Sequence, residues 1–438
     1  MEKTATGQQT RRDFLKTSTV AAGALAAGAT LAIPRGVYAA GSDRMKIGLI
    51  GCGGRGTGAA LDSMKAHPRN QIVAMGDLFG DVLPEKRARL AAAAKEGKEI
   101  KPDQFAVTDD KCFSGFDAYK KVIDEGGIDM IVEAAPPGFR PHIFKYAVDK
   151  NKHVFFEKPC AVDPAGVRAV LATAEEAQKK GLGVCSGTVF RHQTTHRDAI
   201  KQLHDGIIGD IVAGFSYYNV GYLWHKPRKP EWSDTEYQIR NWLYYTWLAG
   251  DHIVEQAIHR IDIQNWIMQG PPKSAYGMGG RQARTDIAYG HIYDHFTVEY
   301  VYAGRNGEDV RVVHQCRQQD NTDTRITEYY VGTKGMTEPS KGPIQEKRVR
   351  PESLGDAYVR EHADLAKSIE DGKPMNEGKQ IAETTLTGIM GRMSAYTGKI
   401  VTWEDAMKSQ LDLWPKETLT FGPKEVPPVA IPGKDPLV

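Results

Sequence analysis

Short apolar runs separated by polar, alanine-rich segments dominate the first half of the chain. Ile47, Leu49 and Ile50 form one run with Gly48 inside it, the composition of a strand buried on both faces of a parallel sheet. Residues 71–77, 105–107, 128–134, 153–156 and 183–187 predict five more strands. Helical segments are expected between them at 57–67, 84–95 and 141–150. Asp163-Pro164 opens another helix, with Asp163 as N-cap and Pro164 in the first turn. Strands alternating with helices predict βαβ units wound right-handedly into a parallel sheet. Past Thr188 the pattern changes to a period of two, at 211–220, 296–302 and 310–316, which predicts an antiparallel sheet. Helices are expected at 251–268, 358–371 and 378–397, and a Pro-rich extended arm from Pro415.

The first strand runs straight into Gly51-Cys52-Gly53-Gly54-Arg55-Gly56, a G-x-G-x-x-G turn opening a helix. Gly51 permits the tight bend, Gly53 lets the backbone approach a pyrophosphate, and Gly56 lets helix and strand pack closely. Asp77 ends the second strand about 20 residues further on, the spacing of a carboxylate on a ribose 2′-OH. Gly51, Gly53, Gly54, Arg55, Gly56 and Asp77 are therefore candidate cofactor residues. Leu78-Phe79-Gly80 follows without an adjacent arginine for a 2′-phosphate, which favours NAD over NADP. The fold class is α/β: a Rossmann dinucleotide-binding domain at 44–187, then an α+β domain with an open, mainly antiparallel sheet at 188–414. The arm occupies 415–438.

Composition narrows the partners. The 438 residues suit two domains, and a formal charge of +2 without a long basic run argues against nucleic acid. Cys52, Cys112, Cys160, Cys185 and Cys316 are scattered, without a C-x-x-C pair, and so form neither a disulfide framework nor a zinc motif. Residues 1–40 are expected to be a signal peptide. Arg11-Arg12 is followed by a mild Ala/Gly-rich apolar run and the small-residue site Val37-Tyr38-Ala39. The run is too short and weak for stable membrane insertion. The expected address is periplasmic, by the twin-arginine machinery, which resembles a route for proteins that fold and take up a cofactor before export.

Glu157-Lys158-Pro159, Gly209-Asp210-Ile211, the run from Gly250 to Asp262, Tyr293-Asp294-His295, Gly332-Thr333-Lys334-Gly335 and Thr397-Gly398-Lys399 make a wider constellation. Together they resemble the glucose–fructose oxidoreductase / inositol dehydrogenase / rhizopine-catabolism (Gfo/Idh/MocA) family, over essentially the whole chain after residue 44. The resemblance implies a sugar or polyol substrate and a sheet face that covers the nicotinamide and mediates homo-oligomer contacts. It also implies that Lys158 reaches the reacting carbon's oxygen and that Glu255 and His259 supply the base, with Glu157 beside the cofactor. The chemistry agrees: oxidising an alcohol needs a base near the working pH, and a desolvated lysine stabilises the developing alkoxide. At i and i+4 on one helix, Glu255 would orient His259. The family usually shows Asp where this chain has Glu255.

His252, Glu255 and His259 could also fall on one helix side, a set suiting zinc or manganese, but further ligands are not evident and no metal is expected. Arg191, His192, Trp224, Tyr245 and His252 are candidate substrate contacts, and Trp232, Tyr244 and His225 extend the same aromatic stretch. An exported enzyme has no nicotinamide pool to draw on, so tightly bound NAD is expected. The primary expectation is hydride transfer to or from a sugar, glycoside or polyol. The alternatives are an NAD-dependent glycosidase working by transient oxidation and elimination, and a non-catalytic sugar-binding protein that keeps the cofactor as a structural element.

Overall fold

A computed structural model describes residues 44–344 and 352–436. The twin-arginine pattern and the cleavage site lie outside the described residues.

Among the described residues, β1 (Met45–Ile50), β2 (Asn70–Asp77), β3 (Cys112–Ser114), β4 (Met130–Glu133), β5 (His153–Phe156) and β6 (Val184–Ser186) form one sheet in the order 3-2-1-4-5-6. Every pairing is parallel. The order reverses between β1 and β4, which opens a crevice at the carboxyl ends of those strands, where the glycine turn lies. Expected residues 105–107 do not form the third strand. A turn at Pro102–Gln104 lets Phe105 make a single parallel bridge to Ile72, and the edge position falls to Cys112–Ser114. That three-residue strand is too short to carry a readable alternation.

Helices cover both faces of this sheet. Asp163 caps Pro164–Lys179 as predicted, accepting from the Gly166 N–H at 2.7 Å. The opposite face receives Leu365 and Ile369 from Leu354–Glu370, which join Ile47, Leu49 and Phe155 in one core. Ser353 caps this helix, so it starts four residues earlier than the apolar pattern indicates.

The second sheet has the order β12-β11-β7-β10-β9-β8-β13. Its strands are β7 (Ile211–Val220), β8 (Ser274–Gly280), β9 (His295–Ala303), β10 (Asp309–Gln318), β11 (Arg325–Gly332), β12 (Gly335–Thr337) and β13 (Val401–Thr402). It is mixed rather than purely antiparallel, because β7 and β10 pair parallel. Ile258–Ile267 and Gly378–Thr397 pack on one face. On β8, Tyr276 and Met278 are exposed on the other face, while Ala275 and Gly277 alternate inward.

Candidate active site

The glycine turn has the build expected of a dinucleotide cradle. Gly51 has φ +81°, and a Cβ there would lie 2.5 Å from the Ala135 nitrogen. A Cβ on Gly56 would fall 1.8 Å from the Gly51 carbonyl oxygen. Gly53 and Gly54 meet nothing within 4 Å, so at Gly53 the missing side chain leaves open space before the N-terminus of the helix Gly54–Ala66. Asp77 fixes the turn from β2: its carboxylate accepts from the Cys52 N–H at 2.7 Å and the Phe79 N–H at 2.9 Å. The cleft that follows is lined by Gly51, Gly53, Asp77, Phe79, Phe116 and Pro136. These residues fit a nicotinamide dinucleotide, with pyrophosphate at the turn and adenosine ribose at Asp77.

Arg55 turns away from that open space. It pairs with Glu157, reaches Asp62 and Glu361 at 3.4 and 3.3 Å, and lies 4.3 Å above the Tyr358 ring. Glu157 is buried; burial opposes its charge, but Arg55 holds its carboxyl below the usual glutamate range. The residue following β5 is thus tied to the glycine turn, and Lys158 comes next.

Lys158 donates to the Glu255 carboxylate at 2.9 Å and to the Glu255 main-chain carbonyl at 2.7 Å. This second bond accounts for a departure from expectation. The helix predicted at 251–268 is two helices, His252–Glu255 and Ile258–Ile267. The Glu255 carbonyl serves the lysine, and the Ala257 N–H returns five residues to the His252 carbonyl at 3.0 Å. Glu255 and His259 are therefore not an i, i+4 pair on one helix, and Glu255 engages Lys158 instead of orienting the imidazole. His259 is half-buried with its ring edge-on to Phe190, centroids 5.8 Å apart. Burial, then the positive charges of Lys158, Arg260 and Arg55, hold His259 well below the usual histidine range, so the ring is neutral near neutral pH. Tyr218 of β7 is electrostatically coupled to Glu255 and Tyr358; burial pushes its phenol up to about 12.

The substrate candidates disperse. His252 is buried, with its ring against Phe296, centroids 5.1 Å apart, and so does not share an open face with Glu255 and His259. Among the described residues those three do not cluster as metal ligands. His192 is buried and held between Asp364 at 2.7 Å and Glu377 at 3.2 Å. Arg191 forks onto Asp262 at 2.8 and 3.0 Å. Tyr245 is buried beside a separate pocket with His225 and Tyr237. Trp224 is 46% exposed and leans on Trp242, whose side lines the dinucleotide cleft. Of the aromatic stretch expected to stack on sugar, Trp224, His225, Trp232, Tyr244 and Tyr245 are absent from the lining of the dinucleotide cleft, and His225 and Tyr245 line the separate pocket. Lys226, Ile239, Arg240 and Trp242 line the dinucleotide cleft from the second domain. Their distance in sequence from the glycine turn left no signal for that role.

Residues 45–185 match the family profile described as "Oxidoreductase family, NAD-binding Rossmann fold", that of Gfo/Idh/MocA proteins. Residues 1–34 match the twin-arginine signal profile of the ubiquinol–cytochrome c reductase Fe-S subunit, a different family. "Glycosyl hydrolase family 109 protein 1" of Bacteroides fragilis is 25% identical over 363 residues, covering 78% of this chain and 72% of that protein. The structure of myo-inositol 2-dehydrogenase from Lactobacillus plantarum superposes with a TM-score of 0.61 at 20% identity, over 82% of this chain and 99% of that one. Scyllo-inositol dehydrogenase from Lactobacillus casei, solved with NAD(H) and scyllo-inositol, gives 0.60 at 18% identity, with 82% and 99% coverage. Across the described residues no helix is long and apolar enough to cross a membrane. With a 3-2-1-4-5-6 parallel sheet, a dinucleotide turn and the profile match over that domain, residues 45–185 form an NAD-binding Rossmann domain of the Gfo/Idh/MocA oxidoreductase type.

Proposed function

We propose that the protein is an exported oxidoreductase that moves hydride between a tightly held NAD and a hydroxyl or carbonyl of a sugar, glycoside or polyol. The observation that carries this reading is the Lys158–Glu255 pair with a neutral His259 near it, just past β5 and tied to the glycine turn through Glu157 and Arg55. The dinucleotide, when bound, accepts or supplies hydride. Lys158 donates a hydrogen bond to the substrate oxygen, whose negative charge grows as an alcohol is oxidised. His259 receives the hydroxyl proton, and Glu255 keeps the ammonium aimed. Export rests on the signal match at 1–34, and periplasmic delivery through the twin-arginine machinery belongs to the same reading. So does a homo-oligomer formed through the open sheet face carrying Tyr276 and Met278.

The family 109 relatives favour a second reading, a redox-neutral glycosidase in which the same residues serve a transient oxidation before the aglycone leaves. One measurement identifies the cofactor and a second separates these readings. Absorbance and mass of the nucleotide that co-purifies identify the cofactor; NAD is expected, and NADP alone would overturn that part. Asp77→Ala should weaken NAD or admit NADP. A panel of sugars and p-nitrophenyl glycosides is then tested for reduction of bound NAD and for aglycone release. Reduction by a free sugar supports the dehydrogenase; release without net reduction supports the glycosidase.

A further inference from the structure

Three segments far apart in sequence meet over the Asp77 end of the cleft. Phe79 and Phe116 come from the first domain, Lys226 and the helix Asp234–Arg240 from the second, and Phe421 from the C-terminal arm. Phe421 stacks on Phe79 with centroids 6.0 Å apart and packs on Phe116 at 4.9 Å. The Arg240 guanidinium lies 3.8 Å over the Phe79 ring and reaches Asp81 at 3.1 and 3.2 Å. Leu419 belongs with Phe79, Phe116 and Trp242 to one apolar cluster built around Tyr237, Ile239 and Leu243.

The arm and the walling helix are one body. The Thr235 N–H donates to the Gly422 carbonyl at 3.1 Å, Gln238 donates to the Lys424 carbonyl at 2.8 Å, and the Lys424 N–H meets Asp234 at 3.3 Å. Lys226 is held by its backbone, which exchanges bonds of 2.8 and 3.1 Å with the Asn241 amide. Lys226 lines the cleft, and its ammonium lies 5.4 Å from the centroid of the Trp224 ring.

We propose that this insert and the arm are part of the dinucleotide site itself: a clasp over the adenosine end that keeps the cofactor bound through successive turnovers, with Lys226 contacting its ribose–phosphate. The proposal rests on the reading above that the cleft holds NAD. Chemistry happens at the Lys158 end, so the adenosine end can be enclosed without obstructing substrate. Enclosure there slows release, because the bound molecule leaves only when the aromatic contacts open.

The test uses the full-length protein loaded with NADH, its release followed by loss of bound-NADH fluorescence during a chase with excess NAD. Phe421→Ala, a chain ended after Lys416, and Lys226→Met should each release NADH about tenfold faster or more, as expected for losing one aromatic or charged contact. Circular dichroism and thermal unfolding confirm that the variants fold. Phe421 is 45% exposed, so its substitution keeps the test valid if the shortened chain does not fold. Release within twofold of wild type in Phe421→Ala and Lys226→Met would overturn the clasp. A wild-type protein that binds NADH but loses it within seconds would also overturn it while leaving the cofactor assignment intact. A protein that binds no nicotinamide nucleotide would overturn both.

Discussion

Lys158 takes both the side-chain and the main-chain oxygen of Glu255, at 2.9 and 2.7 Å, and in doing so divides one helix into two. A carboxylate alone could be replaced by another acid; a carbonyl withdrawn from its helix ties the lysine to the local backbone. Both bonds end on one ammonium, so the side chain and the main chain of Glu255 are fixed together.

Variants at these three positions should therefore behave differently from one another. His259→Ala and Lys158→Met should each lower single-turnover reduction of bound NAD by roughly 10²–10⁴, the range for removing a general base or an oxyanion donor. Lys158→Met should also move the acid limb of the pH–rate profile upward, because a nearby positive charge holding His259 low is gone. Glu255→Gln keeps the carbonyl contact and should be milder. Wild-type rates in all three variants would reject the assignment.

Two glycines in one turn should fail in opposite ways. Gly56→Ala forces a Cβ to 1.8 Å from a backbone oxygen, so the turn itself must move and thermal stability should fall by several degrees or more. Gly53→Ala meets nothing within 4 Å and has φ −65°, so stability should stay within about 0.5 kcal/mol. Its methyl instead stands where pyrophosphate approaches, and NAD titration should show the loss.

Apart from β3, the first sheet was readable because its strands are short apolar runs closed by a turn residue, and the glycines and Asp77 are fixed by local geometry. The break after Glu255 was not readable, since its cause is a lysine nearly a hundred residues upstream in sequence. The surroundings of the substrate candidates were hidden for a related reason. His192 and Arg191 are met by carboxylates from distant segments, and His252 is buried against Phe296, none of which local sequence spacing indicates. Lys226 and Arg240 reach Phe79 and the cleft only through the packing of two domains.

The open sheet face predicts an assembly. Tyr276 is 51% and Met278 68% exposed; the cross-strand neighbour of Met278 is Thr297, and that of Tyr276 is Glu299, which pairs with Arg311 at 3.5 Å. Met278→Glu and Tyr276→Glu together should lower the sedimentation coefficient of the native protein to that of a smaller species. An unchanged coefficient would place the interface elsewhere or leave the protein monomeric.

His192 makes stability depend on pH in a direction opposite to that of most buried histidines. Burial alone would lower its pKa, but hydrogen bonds and charge from Asp364 and Glu377 outweigh it and raise the value from 6.5 to about 9. Those carboxylates belong to the helix Leu354–Glu370 and to the residue just before Gly378–Thr397, so the imidazolium joins both to the end of β6. Because the folded pKa is the higher one, the contribution is fully present below about pH 6.5 and is lost as pH rises through about 9. The shift corresponds to something on the order of 3 kcal/mol. Thermal unfolding of the wild type should therefore weaken between pH 6.5 and 9, while His192→Asn, neutral throughout, should be less stable at pH 6 and show a flatter dependence over that interval. Parallel wild-type and variant curves would mean that the histidine is neutral in the folded protein and that the two carboxylates are satisfied without it.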